Sequence, residues 1–203
     1  MKLYTAEAPN PRRVNIFIAE KGIDIPTEWM QLLEGEARTP EFLKMNSLGE
    51  APVLELDDGS YLTESIAICR YLESLYPDSP LFGETPLEAA QIEMWTRRME
   101  QKVCEPIGQF GLHTFPFFAD KIEQVRDYAD TQLRLQERRW EWLNDHLSDG
   151  ATYVCNNTFS IADIAGVNAL NVMSFCNLEI PDDYPHVKRW EAAIRSRKGW
   201  SRS

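Results

Sequence analysis

Residues 49–76 set a proline, a tight turn and an acidic helix start in one compact order that suits an extended peptide ending in a carboxylate. Ala51-Pro52-Val53 opens a strand over residues 53–56, Asp57-Asp58-Gly59 turns it, and residues 60–62 return. Thr63-Glu64-Ser65 then begins a helix that Tyr76-Pro77 closes, with Ile66, Ile68, Leu72 and Leu75 mostly on one side. Proline has no amide hydrogen, so Pro52 belongs at the first position of a strand or on an edge. A cis Ala51–Pro52 bond would present the N–H and C=O of Val53 outward. An ordinary edge-strand proline fits the same residues, and the sequence leaves the isomer open. The first N–H groups of the helix at Ser65 attract a carboxylate, while the plainer account of Glu64-Ser65 is a capping pair.

The elements that must position these residues alternate over the first eighty positions and become purely helical afterwards. Residues 2–5 read as a strand with Leu3 as its apolar residue. Asn10-Pro11 reads as an N-cap followed by a first-turn proline, Val14, Phe17 and Ile18 form the buried stripe, and Gly22 ends the helix. Residues 27–32 form a second strand, parallel to the first across a right-handed crossover. Thr39-Pro40 starts a short helix carrying Phe42 and Leu43. The order βαβ, short helix, ββα is the thioredoxin-like topology, so the expected class is α/β plus all-α. Residues 1–78 make the thioredoxin-like domain, residues 79–86, with Pro80, Gly83 and Pro86, a linker, and residues 87–203 a helical bundle. In the bundle, Ile92, Trp95, Met99 and Val103 share one helix, Glu105-Pro106 breaks it, and Gly108 and Gly111 loosen the segment after the break. Residues 120–147 form a longer helix carrying Ile122, Val125, Ala129, Leu133, Trp140, Leu143 and Leu147. Ser160-Ile161-Ala162-Asp163 fits a capping box, and a last helix spans residues 185–197 with Val187, Trp190 and Ile194 inward.

The composition narrows the partners. A formal charge of −11 over 203 residues argues against nucleic acid and anionic membrane surfaces, both of which need basic patches. No apolar run approaches the roughly 20 residues of a membrane span, and Met1-Lys2-Leu3-Tyr4 does not open a secretory signal, so the expected location is cytoplasmic. Cys69, Cys104, Cys155 and Cys176 show no CxxC spacing and read as buried apolar fillers. His113, His146 and His186 lie far apart, and no metal site is expected.

Several short segments together make the chain resemble the cytosolic glutathione transferases over essentially its whole length. They are Pro40-Glu41-Phe42-Leu43, Asn46-Ser47-Leu48-Gly49, Ala51-Pro52-Val53-Leu54, Asp57-Asp58-Gly59, Glu64-Ser65-Ile66-Ala67-Ile68 and Phe159-Ser160-Ile161-Ala162-Asp163. The resemblance implies glutathione as co-substrate, without a metal, and a homodimer. It implies that Glu64 and Ser65 hold the γ-glutamyl end, with Ser65 on the α-carboxylate, that Val53 pairs with the cysteinyl part, and that Pro52 is cis. Arg38 and Lys44 are candidates for the glycine carboxylate, or else solvated surface charges. In the family Ser160 and Asp163 nucleate a helix and are not catalytic.

A thiol with a pKa near ~8.5 is only a few per cent ionised at neutral pH, so conjugation needs donors around the sulfur. The family commonly places Tyr, Ser or Cys between the first strand and helix. Glu7-Ala8-Pro9-Asn10-Pro11-Arg12 contains none of them. A bacterial branch uses Thr-Pro-Asn there, which leaves Asn10 as donor, as plain N-cap, or as both. Tyr4, Thr5 and the positive field of Arg13 are further possibilities. His113-Thr114 matches the region from which an atypical fungal and bacterial subgroup holds an activating water. Phe110, Phe115, Phe117 and Phe118 suit an apolar electrophile pocket, and the same spacing suits core packing. The expected activity is transfer of glutathione to a small apolar electrophile. Alternatives are glutathione-dependent reduction of peroxides or disulfides, with no loop cysteine for mixed-disulfide branches, and a non-catalytic glutathione-binding module.

Overall fold

The structure, a computed structural model, describes residues 1–202. The chain divides into two units, Met1–Pro80 together with the chain from Arg197 onward, and Leu81–Ser196.

In the first unit β1 (Lys2–Ala6) and β2 (Thr27–Met30) run parallel, with Leu3 opposite Thr27 and Ala6 opposite Met30. The helix α1 (Pro9–Lys21) between them supplies the crossover that parallel pairing requires. β3 (Val53–Glu55) lies antiparallel to β1 with Val53 opposite Tyr4, and β4 (Tyr61–Leu62) pairs with β3, giving the order β2-β1-β3-β4. With α2 (Pro40–Met45) and α3 (Ser65–Leu75) this is the thioredoxin-like arrangement. Leu3, Val14, Phe17, Leu54, Ile68 and Leu72 are buried, and Ala6, Met30, Ala37, Phe42, Ala51 and Val53 form a second cluster. The Lys21 ammonium, itself buried, pairs with Glu73 of α3 at 2.8 Å and reaches the Asp78 carbonyl at 2.7 Å.

Two details of α1 correct the sequence expectation. Asn10 is not the N-cap. The helix begins at Pro9, and Ala8, extended at φ −153° and ψ 160°, holds the cap position with no side-chain hydrogen bond. The residue before a proline is driven to extended backbone, and Pro9 has the φ of a first helical residue already set. The buried stripe also shifts, with Ile16 buried where Ile18 was expected and Ile18 partly exposed. The cause is α9 (Lys198–Arg202), which returns to pack on α1. A Cβ on Gly199 would come within 2.9 Å of the Ile16 carbonyl oxygen, so only glycine allows that approach. Arg197 donates to Glu20 at 2.6 Å, the Gly199 N–H to the same carboxylate at 3.3 Å, and the Arg12 guanidinium lies 4.9 Å from the Trp200 ring.

In the second unit α4 (Pro86–Arg98) starts from a Thr85/Glu88 capping box and passes into a π-helical stretch, Met99–Cys104, and then α5 (Glu105–Thr114) without interruption. The break expected at Glu105-Pro106 does not occur. The wider π turn shifts the hydrogen-bond register just where Pro106 lacks its N–H, so the chain stays helical. Gly108 and Gly111 do not loosen this region either. Gly111 lets α5 approach α7 (Ile161–Phe175), since a Cβ there would fall 2.7 Å from Cγ1 of Val172. α6 (Arg126–His146) begins later than expected. Before it, Gln124 donates to the carbonyls of Leu112 (3.0 Å) and Phe115 (2.9 Å), and Val125 N–H donates to Nδ1 of His113 (3.1 Å), so these groups bond to the end of α5 instead of to a helical turn. α8 (Pro185–Arg195) buries Val187, Trp190 and Ile194 as its pattern predicts. Among the described residues no helix is long and apolar enough to cross a membrane.

Candidate functional site

The start of α3 combines an unusual backbone with open hydrogen-bond donors. Glu64, at the N-cap, adopts φ 65° and ψ 114°, a backbone region that costs a non-glycine residue about 1–3 kcal/mol. Its side chain makes no capping hydrogen bond, so the capping-pair account of Glu64-Ser65 fails. The backbone N–H groups of Ser65, Ile66 and Ala67 have no acceptor among the described residues. Ser65 and Ile66 are nevertheless buried. A buried helix end without partners is unfavourable unless something else supplies an acceptor. The Glu64 carboxylate is exposed and forms no hydrogen bond or ion pair among the described residues, which leaves a negative charge one residue from three open donors.

Beneath this turn lies Arg13, 6% exposed, whose Nη1 donates to the Ser65 hydroxyl at 3.4 Å. The same guanidinium opposes the burial that pushes the Cys69 thiol up, one turn along α3. Sequence spacing gives no hint of the Arg13–Ser65 contact, because 52 residues separate the pair.

The Ala51–Pro52 bond is cis. β4 stops at Leu62, opposite Leu54, so among the described residues Val53 has no strand partner on that side. Val53 is also fully buried, with its side chain in the cluster around Phe42. The loop before it is built on Asn46, whose amide donates to the Glu50 carbonyl at 2.7 Å and accepts from Leu48 N–H at 3.1 Å. Arg38 is exposed but not loose. Its Nη1 donates to the Leu48 carbonyl at 2.9 Å and sits where a Cβ on Gly49 would be, at 2.7 Å. Lys44 is exposed at the end of α2, without a partner among the described residues.

At the start of α1 the sequence Pro9-Asn10-Pro11 leaves Asn10 as the one residue of the first turn with a backbone N–H, and Asn10 is exposed. Two neighbouring side chains bond within the first unit. The buried Thr5 hydroxyl donates to Asn15 at 3.0 Å, and the Tyr4 hydroxyl donates to Glu55 at 3.0 Å.

The second unit holds the remaining candidates. Nδ1 of His113 is occupied by the Val125 N–H, so in the neutral ring the proton sits on Nε2, and the ring packs edge-on against Tyr128. Thr114 donates to the Phe110 carbonyl at 2.7 Å and lies beside the Cys176 thiol, which is only partly buried rather than the core filler expected. Phe110 is buried and belongs to the core, with the Arg126 guanidinium 5.7 Å from its ring. Phe115 is partly exposed and meets Phe118 at 6.4 Å and Phe175 at 6.2 Å.

Ser160 and Asp163 close the start of α7 as the capping box predicts. Oγ of Ser160 accepts from Ala162 N–H at 3.3 Å and Oδ2 of Asp163 from Ser160 N–H at 3.0 Å. Oδ1 of Asp163 further accepts from Val154 N–H at 3.1 Å and from Nε1 of Trp190 at 3.0 Å. Burial pushes this carboxyl up to about 6 against the pull of those donors.

The chain is similar to known proteins over nearly its whole length. The family model described as "Glutathione S-transferase, N-terminal domain" matches residues 8–75, and "Glutathione S-transferase, C-terminal domain" matches residues 109–198. Glutathione S-transferase 2 of Saccharomyces cerevisiae is 31% identical over 199 residues, covering 95% of this chain and 84% of the relative. The crystal structure of Gtt2 from Saccharomyces cerevisiae superposes with a TM-score of 0.90 at 29% identity, covering 99% of each chain. A probable elongation factor 1-gamma 1 of Arabidopsis thaliana is 32% identical over 173 residues, 83% of this chain but 39% of that longer relative. The chain belongs to the glutathione S-transferase family.

Proposed function

We propose that the protein binds glutathione at the α3 start and delivers its thiolate to a small apolar electrophile. The observation that carries this reading is the set of three unpartnered N–H groups at Ser65, Ile66 and Ala67 beside the unpaired Glu64 carboxylate. An α-amino acid head has matching groups. Its carboxylate fits the N–H groups and the Ser65 hydroxyl, and its ammonium fits Glu64. The cysteinyl backbone then pairs with Val53 next to the cis Pro52, and Arg38 or Lys44 receives the glycine carboxylate.

Asn10, exposed in the first turn of α1, donates to the sulfur through its side-chain amide, with help from the helix dipole. Lowering the thiol pKa by about two units corresponds to roughly 2.7 kcal/mol, within reach of one or two charge-assisted hydrogen bonds. The thiol proton leaves to solvent, the sulfur bonds to the electrophilic carbon, and a leaving group departs with its electron pair or an adjacent carbon takes a proton. A water held by Nε2–H of His113 and by Thr114 is the alternative donor, and Phe115, the partly exposed member of the expected pair, lines the electrophile side. The protein acts as a cytoplasmic homodimer, as its family implies.

Ultraviolet titration of bound glutathione tests the thiol step. Asn10→Ala is expected to raise the apparent pKa by about one unit, from the loss of one charge-assisted bond. An unchanged titration removes Asn10 and moves the role to His113, for which His113→Ala is the matching test.

A second reading, binding without turnover, is favoured by the elongation factor 1-gamma relative and by the loop at residues 7–12, which lacks Tyr, Ser and Cys. Glutathione binding without turnover of an aryl halide or a hydroperoxide would select it. Turnover of the hydroperoxide alone would select glutathione-dependent reduction.

A further inference from the structure

We propose that Trp200 is a positioning residue for the first turn of α1, the turn that carries Asn10. For its bearing on the sulfur the proposal rests on the glutathione reading above, and it adds what holds that turn in place. Three contacts join α9 and the residue before it to α1 at four-residue intervals, which puts them on one face of the helix. Arg197 and the Gly199 N–H donate to the Glu20 carboxylate at 2.6 and 3.3 Å. One turn earlier, a Cβ on Gly199 would meet the carbonyl oxygen of Ile16 at 2.9 Å and its Cα at 3.0 Å. One turn earlier still, the Arg12 guanidinium lies 4.9 Å from the Trp200 ring.

The two ends of α1 need this support unequally. At the far end Gly22 adopts φ 65°, the Ile23 N–H returns to the Ile18 carbonyl at 3.0 Å, and Lys21, a cation at the negative end of the helix dipole, is held by Glu73 at 2.8 Å. At the start Ala8 supplies no side-chain cap, the first turn has no acidic residue, and Arg12 and Arg13 set two cations near the positive end of the dipole. A helix start of this kind frays unless tertiary contacts hold it. Glu20 and Ile16 tie down the last turn and the middle of α1. The Trp200 ring is the part of α9 that reaches the start, and an aromatic face attracts a guanidinium, which offsets the repulsion between Arg12 and the dipole. The Arg12 N–H donates to the Ala8 carbonyl at 3.1 Å, so fraying of this turn is read directly at that amide.

The test combines amide hydrogen exchange by NMR on the ligand-free full chain with ultraviolet titration of bound glutathione, on wild type, Trp200→Ala, Trp200→Leu and Trp200→Phe. Leucine keeps apolar cover without a ring face, and phenylalanine keeps the face. Trp200→Ala and Trp200→Leu are expected to speed exchange of the Arg12 amide by about two- to fivefold and to leave the Ile23 amide unchanged. Trp200→Phe is expected to exchange as wild type does. In the first two variants the pKa of the bound thiol should rise by about half a unit, while affinity for glutathione with its thiol protonated stays that of wild type. A merely structural tryptophan would speed exchange at Arg12 and Ile23 alike. That result, an Arg12 amide as slow in Trp200→Leu as in wild type, or an unmoved thiol pKa overturns the proposal. Where Trp200→Ala does not reproduce the wild-type far-ultraviolet spectrum, Trp200→Leu and Trp200→Phe decide. Exchange needs no ligand, so the two failures are distinct. Wild type that binds no glutathione removes the glutathione reading and the thiol role of Trp200 with it, whereas an unchanged Arg12 amide overturns the proposal with glutathione bound as before.

Discussion

Two helix starts in this protein use the same residue types to opposite ends. At α7, Ser160 is the N-cap and Asp163 the third helical residue, and a carboxylate already inside the fold collects the N–H groups of Ser160 and Val154 and the Trp190 indole. At α3, Glu64 is the N-cap and Ser65 the first helical residue, the carboxylate is exposed, and the first-turn N–H groups have no acceptor among the described residues. The order of one acidic residue and one serine decides whether the helix end is satisfied from within or left for a ligand. The left-handed backbone at Glu64 shows that the open end carries a stability cost which the closed end does not.

The largest expected effect is at the closed end. Asp163→Ala leaves three buried donors without acceptors and is expected to destabilise the protein by about 3–5 kcal/mol in chemical denaturation. Ser65→Ala should change stability by less than about 1 kcal/mol, and equal losses at the two sites would erase the contrast.

The next effect is a pH dependence belonging to Asp163 alone. Its folded pKa is raised above the unfolded value, so the stabilisation tied to its protonated form is complete below about pH 4 and is lost as pH rises through about 6. Wild type should therefore lose about 2–3 kcal/mol relative to Asp163→Ala between about pH 4 and 7. A flat difference across that range would mean that the surrounding donors hold the carboxylate ionised throughout.

At the open end Ser65→Ala is expected to weaken glutathione by about ten- to hundredfold in calorimetry while the melting temperature barely moves. A shift of the melting temperature without loss of affinity would make α3 a second structural cap. The smallest expected effect is at Glu64. Glu64→Gly relieves the positive φ and should add about 0.5–1 kcal/mol of stability. The same change should weaken glutathione binding, and a loss of stability would show that the backbone there is not strained.

Much of the fold was legible in residue order. The alternation of Leu3, Val14 and Phe17, the Asp57-Asp58-Gly59 turn and the Ser160/Asp163 pair announce their elements through periodicity and capping, which act within a few residues. The misjudged places depend on partners distant in sequence. Ile16 is buried in place of Ile18 because α9 returns across α1, and residues 120–125 stay out of α6 because Gln124 and Val125 bond to the end of α5. Pro106 reads as a helix breaker because sequence patterns carry no sign of a π turn preceding it.

The same division runs through the candidate site. Pro52, Val53, Glu64 and Ser65 stand close enough in the chain for local rules to mark them as a place where backbone donors are left open. Whether Glu64-Ser65 capped its own helix or stayed open, and whether a charge lay beneath it, depended on the path of α1 past α3. Backbone preferences are short-ranged and written in neighbouring residues. Burial and charge at Ser65 come from Arg13, 52 residues away, and only the packed chain brings the two together.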